Sequence, residues 1–244
     1  MYRLILIFCL LFIVSCSYND TSVLLTDQNL YKDNELKDFE LFDKANNYIT
    51  SNQLDLALTN LDKLDVLFPS SLFTNRGMLV KAYIYFLKKD YEKTRALAES
   101  FKNYYPGNKD IIYANYLEAM TYYVVIKKSN FSQENSKIAL EKFNFILNAY
   151  PNSKYEIDIL VKIKLIQNNL ASTNLEIAKF YFNKKNNNGA LIYLEEIFND
   201  YSSSNSIEET LFLLTKIYYE IQEYELAKKY ASILAYNFPE SNWY

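Results

Sequence analysis

Apolar residues along this chain fall into helix-length blocks, and the blocks end on a recurring stop: an aromatic residue, proline, then small or polar residues. All four prolines lie in this stop, in "LFPSS" (Pro69), "YYPGN" (Pro106), "AYPNS" (Pro151) and "NFPES" (Pro239), and "DYSSS" repeats it with Ser202 in the proline position. Proline cannot extend a helix, so each stop predicts a helix end. Counting back from each stop gives a register. Twelve residues earlier lie Ala57, Thr94, Ala139, Ala190 and Ala227; twenty-one earlier lie Tyr48, Tyr85, Asn130, Tyr181 and Tyr218; twenty-four earlier lie Ala45, Ala82, Lys127, Ala178 and Thr215. Helix axes approach to about 8–10 Å only where side chains are small, so the small positions predict where paired helices touch.

The third copy departs from the register. Ala119 and Tyr122 keep the small-x-x-Tyr spacing but sit eight residues early, which predicts an insertion between that copy's helices, within residues 126–137. The stop-to-stop intervals agree: 37 residues from Pro69 to Pro106 and from Ser202 to Pro239, but 45 from Pro106 to Pro151. From Pro151 to Ser202 the interval is 51, an excess of fourteen residues, or about 3.9 helical turns. "YEIDILVKIKLIQNNLASTNLEIAKFYF" contains neither proline nor glycine and reads as one long helix ending near Asn183, with "NKKNNNG" as the following turn. The expected map is five helix pairs, at about 37–69, 75–106, 109–151, 154–202 and 207–239. A non-repetitive all-α bundle is the alternative.

The first residues follow another pattern. Arg3 precedes an apolar run over residues 4–14, then Ser15 and Cys16. Eleven helical residues reach about 16 Å, too short for a hydrocarbon core of about 30 Å, so the run reads as a secretory signal rather than a span. Without residues 1–15 the formal charge moves from −3 to −4, because Arg3 leaves and no acid does. Mild acidity argues against a nucleic-acid partner. The chain has no histidine, which removes the commonest general base and metal ligand. Its three glycines cannot build a phosphate-cradling loop. Tyrosine, at 24 residues, dominates the aromatic content and suggests a protein made of contact surface. A carboxylate- or lysine-based enzyme stays formally open; no cofactor is expected.

The repeat register resembles the tetratricopeptide repeat, which implies an all-α, right-handed superhelix of about five helix pairs. "IVSC" at residues 13–16 resembles the bacterial lipobox, in which the cysteine sulfur is lipidated and the preceding residues removed. Residues 1–15 would then be a lipoprotein signal peptide, Cys16 the acylated first residue, and 16–36 a tether. With lipid on Cys16 and Cys9 gone, no thiol would remain. In that class Ser17 after the lipidated residue implies the outer membrane, facing the periplasm.

Five such repeats behind a lipobox, together with "NAYPNSKY", the long helix after it and "LEEIFNDY", resemble the BamD-type (ComL/YfiO) outer-membrane assembly lipoproteins. The resemblance implies a non-enzymatic scaffold of the β-barrel assembly machine. The implied partners are the BamA POTRA region, other lipoproteins of the machine and unfolded outer-membrane barrel clients, with a membrane contact through the lipid anchor. Another periplasmic tetratricopeptide scaffold, serving pilus biogenesis or the cell wall, is the alternative. In that repeat the second, fifth, ninth and twelfth positions of each first helix face a groove. This carries Phe39, Phe42, Arg76, Tyr83, Phe86, Tyr113, Tyr116 and Tyr123 into a client groove over residues 37–153, where Arg76 would suit a terminal carboxylate. It carries Lys179, Phe182, Glu209, Phe212, Lys216 and Tyr219 into a BamA-binding half over 154–244. The competing reading of these rings is ordinary packing between helices.

Overall fold

The computed structural model describes residues 37–126 and 133–243. The signal peptide, Cys16, the tether and residues 127–132 of the expected insertion lie outside the described residues, and residues 133–137 belong to a helix. Ten helices are described, in chain order: α1 (Asp38–Thr50), α2 (Leu54–Leu67), α3 (Leu72–Leu87), α4 (Tyr91–Tyr104), α5 (Ile111–Ile126), α6 (Gln133–Ala149), α7 (Glu156–Asn183), α8 (Asn187–Asp200), α9 (Ile207–Glu220) and α10 (Tyr224–Asn237). The fold is all-α, in five successive helix pairs. The chain divides into two compact units at Gly77, inside α3. The expected 153/154 boundary therefore falls within the larger unit.

In the smaller unit α1 packs on α2 through Leu41, Ala45, Ala57, Leu61 and Leu64, all without solvent exposure. Phe42 meets Phe73 with ring centroids 5.4 Å apart, and the Ser71 hydroxyl donates to Asp38 at 2.7 Å. In the larger unit each helix from α4 to α10 packs on the next. Ala119, Ala139, Ala178 and Ala190 have no exposure, and Ala227 very little, which confirms Ala119 as the third copy's small position.

The tyrosine register has a backbone meaning. After α1, α3, α7 and α9 the chain enters the left-handed region at Asn52 (φ 56°), Lys89 (φ 64°), Lys185 (φ 62°) and Gln222 (φ 67°). One residue later the amide donates back to the carbonyl of Tyr48, Tyr85, Tyr181 or Tyr218, at 2.8–3.0 Å. This six-to-one bond satisfies a helix-end carbonyl, and such a turn ordinarily uses glycine. Here asparagine, lysine and glutamine hold it.

The aromatic-proline stop has an equally local cause. Phe68, Tyr105, Tyr201 and Phe238 close α2, α4, α8 and α10 with φ between −129° and −134°. That is the extended φ imposed before proline. Their carbonyls accept from Ser71, Asn108, Ser204 and Ser241. Tyr201 lacks the proline and keeps the turn with help from α7: Ser203 donates to Gln167, and the Asn205 amide donates to Asn168, both at 2.9 Å.

Helix α7 spans 28 residues, twice the length of α9. Gly189, at the start of α8, lies against the ring of Tyr181, where an added Cβ would come within 2.9 Å. Because Gly189 sits beside Tyr181 and the turn after α8 meets residues 164–168, α8 runs back only that far. The first two turns of α7 extend beyond it.

Candidate partner-binding faces

Helices α5 and α7 bring a set of tyrosines together. Tyr155, just before α7, stacks on Tyr116 (4.6 Å between centroids, 18° between planes) and on Tyr113 (6.2 Å, 23°). The Tyr116 hydroxyl donates to Asp158 Oδ2 at 2.7 Å, and Lys162 pairs with the same carboxylate. Burial drives the Tyr113 phenol well above its ordinary range, with Tyr83 and Tyr155 adding to the shift. Tyr116 is raised too, by burial first and then by its bond to Asp158. Burial opposes the charge on Asp158, but the hydrogen bonds from Lys162 and Tyr116 and the Lys162 charge hold its carboxyl below the usual aspartate range. The outcome is a neutral aromatic surface closed at one end by an ion pair.

Helices α7 and α9 form a second face. Lys179 lies 2.7 Å from Glu209, and this hydrogen bond raises the lysine above its ordinary range against a smaller opposing effect of burial. Lys216 lies over the Phe182 ring at 5.1 Å, and Phe212 meets Trp243 at 5.3 Å. Tyr219 is exposed and touches Tyr224 edge-on at 5.5 Å. Of the six residues expected in the C-terminal half, Lys179 with Glu209 and Phe182 with Lys216 meet across α7 and α9, while Phe212 and Tyr219 pack on Trp243 and Tyr224.

The expected client residues sort differently. Phe39, Phe42 and Arg76 belong to the smaller unit, where Phe39 and Arg76 are exposed and Phe42 is half-buried. In the larger unit Tyr83, Phe86, Tyr113 and Tyr116 are half-buried, with Phe86 against Tyr91 at 5.8 Å. Tyr123 needs correction. It is 8% exposed, enclosed by Phe143 at 6.1 Å and by Lys162 at 5.5 Å, so it packs as core rather than as an open contact. Tyr155, Asp158 and Lys162 were missed. They pair with α5 across some forty residues of sequence, and the signal available was the doubled first helix that carries them.

A third cluster is structural. Glu118 on α5 bridges Lys102 on α4 and Lys142 on α6, at 2.6 Å to each. Among the described residues no group of three or more histidine, cysteine, aspartate or glutamate side chains could hold a metal ion, and no helix is long and apolar enough to cross a membrane.

A family model described as "YfiO: Outer membrane lipoprotein" matches residues 34–234. The chain belongs to this family. It is similar to proteins named outer membrane protein assembly factor BamD. That of Rickettsia prowazekii is 36% identical over 176 residues, covering 72% of this chain and 70% of the relative. That of Caulobacter vibrioides is 29% identical over 176 residues, covering 72% of this chain but only 58% of the relative. That of Buchnera aphidicola is 24% identical over 245 residues, with 96% of each covered. Among solved structures, the apo form of RapI aligns with a TM-score of 0.41 at 17% identity, over 91% of this chain and 60% of that one, too loose a likeness to carry an argument.

Proposed function

We propose that this chain is a non-catalytic scaffold of outer-membrane protein assembly, anchored by lipid on Cys16 and facing the periplasm. The match to the outer membrane lipoprotein family over residues 34–234 carries this reading. The assembly-factor names of its relatives support the role. The α7–α9 face around Lys179, Glu209 and Phe212 holds the BamA POTRA region. Its rings sit beside charges, the mix that suits a protein interface. The aromatic face of Tyr83, Tyr113, Tyr116 and Tyr155 contacts unfolded barrel clients, where rings supply contact area at little entropic cost.

Co-purification from detergent-solubilised envelope tests the reading. The tagged full chain is expected to bring down BamA, and Lys179→Glu with Phe212→Ala is expected to lose it while retaining helicity. Recovery of BamA with the variant would assign the partner to another face. Absence of BamA from the wild-type eluate would remove the scaffold reading. Intact mass of the membrane-extracted protein tests the anchor: a chain beginning at Cys16 with acyl mass is expected, and an unmodified Met1 chain would refute it.

A further inference from the structure

The chain contains one asparagine followed by glycine, Asn188–Gly189, in the first turn of α8. That pair is prone to deamidation, because glycine has no Cβ to hinder attack on the preceding side chain. Packing requires the glycine. A Cβ at 189 would come within 2.9 Å of the Tyr181 ring and 3.0 Å of the Asn186 carboxamide. The same ring stacks on Tyr193, at 5.9 Å and 12° between planes, which restrains it. Asn188 itself is exposed. The Gly189 amide is one of the first-turn donors that have no backbone partner within a helix. Its acceptor is a side chain instead, Asn186 Oδ1 at 2.9 Å.

We infer that Asn188 is a site of spontaneous deamidation, and that the Asn186 cap is the latch that keeps it closed in the folded chain. The step needs only water. The Gly189 amide loses its proton to hydroxide, and its nitrogen attacks Asn188 Cγ. The N–Cγ bond forms, the Cγ–Nδ2 bond breaks, and ammonia leaves with a proton taken from water, giving a five-membered succinimide. Water then opens the ring at one of its two carbonyls. Opening at Cγ gives aspartate; opening at the main-chain carbonyl reroutes the backbone through Cγ and gives isoaspartate. The cap opposes the first step in two ways. It engages the proton that has to leave, and it favours a helical first turn, with ψ of about −42°. Ring closure requires Asn188 to rotate out of that conformation. The two products differ in effect. Aspartate at 188 puts a negative charge in the first turn of α8, which the helix dipole favours. Isoaspartate adds a carbon to the main chain, so Gly189 can no longer seat between Asn186 and the Tyr181 ring. This chemistry is independent of the assembly reading.

The test incubates the full membrane-extracted chain in detergent at mildly alkaline pH. Conversion of amide to acid at Asn188 is followed by peptide mass mapping with isoaspartate detection. The folded wild type is expected to convert at least tenfold more slowly than the same chain in urea. Asn186→Ala removes the acceptor and is expected to convert at least fivefold faster than the wild type under folding conditions. Asn186→Gly also removes the acceptor, but glycine is tolerated at this position with little loss of helix stability. It is expected to match Asn186→Ala with unchanged helicity, which separates loss of the latch from loss of the fold. Asn186→Asp keeps an oxygen on the Gly189 amide and is expected to stay within twofold of the wild type. Asn188→Gln should lose the conversion and so fixes its position. Conversion of Asn186→Gly at the wild-type rate, acceleration by Asn186→Asp equal to that by Asn186→Ala, or no conversion at 188 in urea would overturn the inference.

Discussion

The two halves of α7 share one helix and differ in what surrounds them. Residues 170–183 behave like the first helix of an ordinary pair. Leu170, Ala171, Leu175 and Ala178 turn inward, while Glu176 and Phe180 are exposed and Lys179 pairs with Glu209. Residues 156–169 are the excess over the 37-residue repeat; Ile159, Ile163 and Ile166 turn inward, while Ile157, Leu160, Val161 and Leu165 are exposed beside Asp158 and Lys164. Repeat arrays bury the inner face of each unit against its neighbours, which accounts for Ile159, Ile163 and Ile166. Nothing in that scheme covers Ile157 or Val161. An added segment can therefore extend the buried face of a repeat while leaving large apolar residues on its outer side.

The comparison breaks most visibly on stability. Ile166→Ala should cost about 2–5 kcal/mol, because the side chain is 2% exposed and its removal leaves a cavity. Five residues away and on the other side, Val161→Glu should stay within about 0.5 kcal/mol. Urea unfolding of both variants checks this. A large loss for Val161→Glu would mean that the outer stripe is covered within this chain itself.

An intermediate effect is expected where α5 meets its neighbours. Glu118 is mostly shielded between Lys102 and Lys142. Burial opposes its charge, but the two lysine hydrogen bonds and their charges hold the carboxyl below the ordinary glutamate value. A depressed carboxyl contributes stability that is present above its unfolded pKa and is lost as pH falls through the folded one. Glu118→Gln should cost about 1–3 kcal/mol near neutrality, and the difference from wild type should shrink below about pH 4. Thermal melts across pH 3–7 measure it. A difference independent of pH would show that the network acts through packing alone.

A smaller loss is expected from Tyr116→Phe. It keeps the stack on Tyr155 and removes the bond to Asp158, for about 1 kcal/mol. Because Lys162 still pairs with Asp158, client binding should fall less than with Tyr116→Ala, which removes the ring itself. Equal losses would assign the contact to the hydroxyl.

Much of this architecture was legible because its determinants are local. The tyrosines at 48, 85, 181 and 218 mark helix-end carbonyls, the aromatic residue before each proline marks a turn, and small residues mark close approach; each leaves a trace within a few residues of chain. The doubled helix was legible as an interval. Site assignment was less so, since a consensus position does not say what lies opposite it. Tyr123 occupies a groove position yet is enclosed by Phe143 and Lys162, and Leu79 and Leu175, also at groove positions, are buried. Tyr155 holds no consensus position and still stacks on two predicted rings. The outward stripe was present in "EIDILVKIKL", where apolar residues are too dense for one helix face, but density alone does not tell which of them point outward.

The smallest effect lies at the end of the regular half of α7, where two adjacent lysines occupy opposite backbone regions. Lys185 has φ 62° and Lys184 has φ −82°. A left-handed residue with a Cβ costs about 1–2 kcal/mol, whereas glycine adopts that conformation freely and costs about 0.5–1 kcal/mol in unfolded-chain entropy. Lys185→Gly should therefore stabilise by a few tenths to about 1 kcal/mol. Lys184→Gly gains no relief and should destabilise by about 0.5–1 kcal/mol. The two substitutions remove the same charge; Lys184→Gly also removes the contact of Lys184 with the Phe180 ring at 5.9 Å, so Lys184→Ala serves as the control that separates side chain from backbone. Urea midpoints with unchanged m-values would measure it. If both glycines act in the same direction, the lysine side chains rather than the turn set the energy there. The regular half of α7 would then also owe its ending to its surface chemistry and not to the turn shared by four of the five pairs.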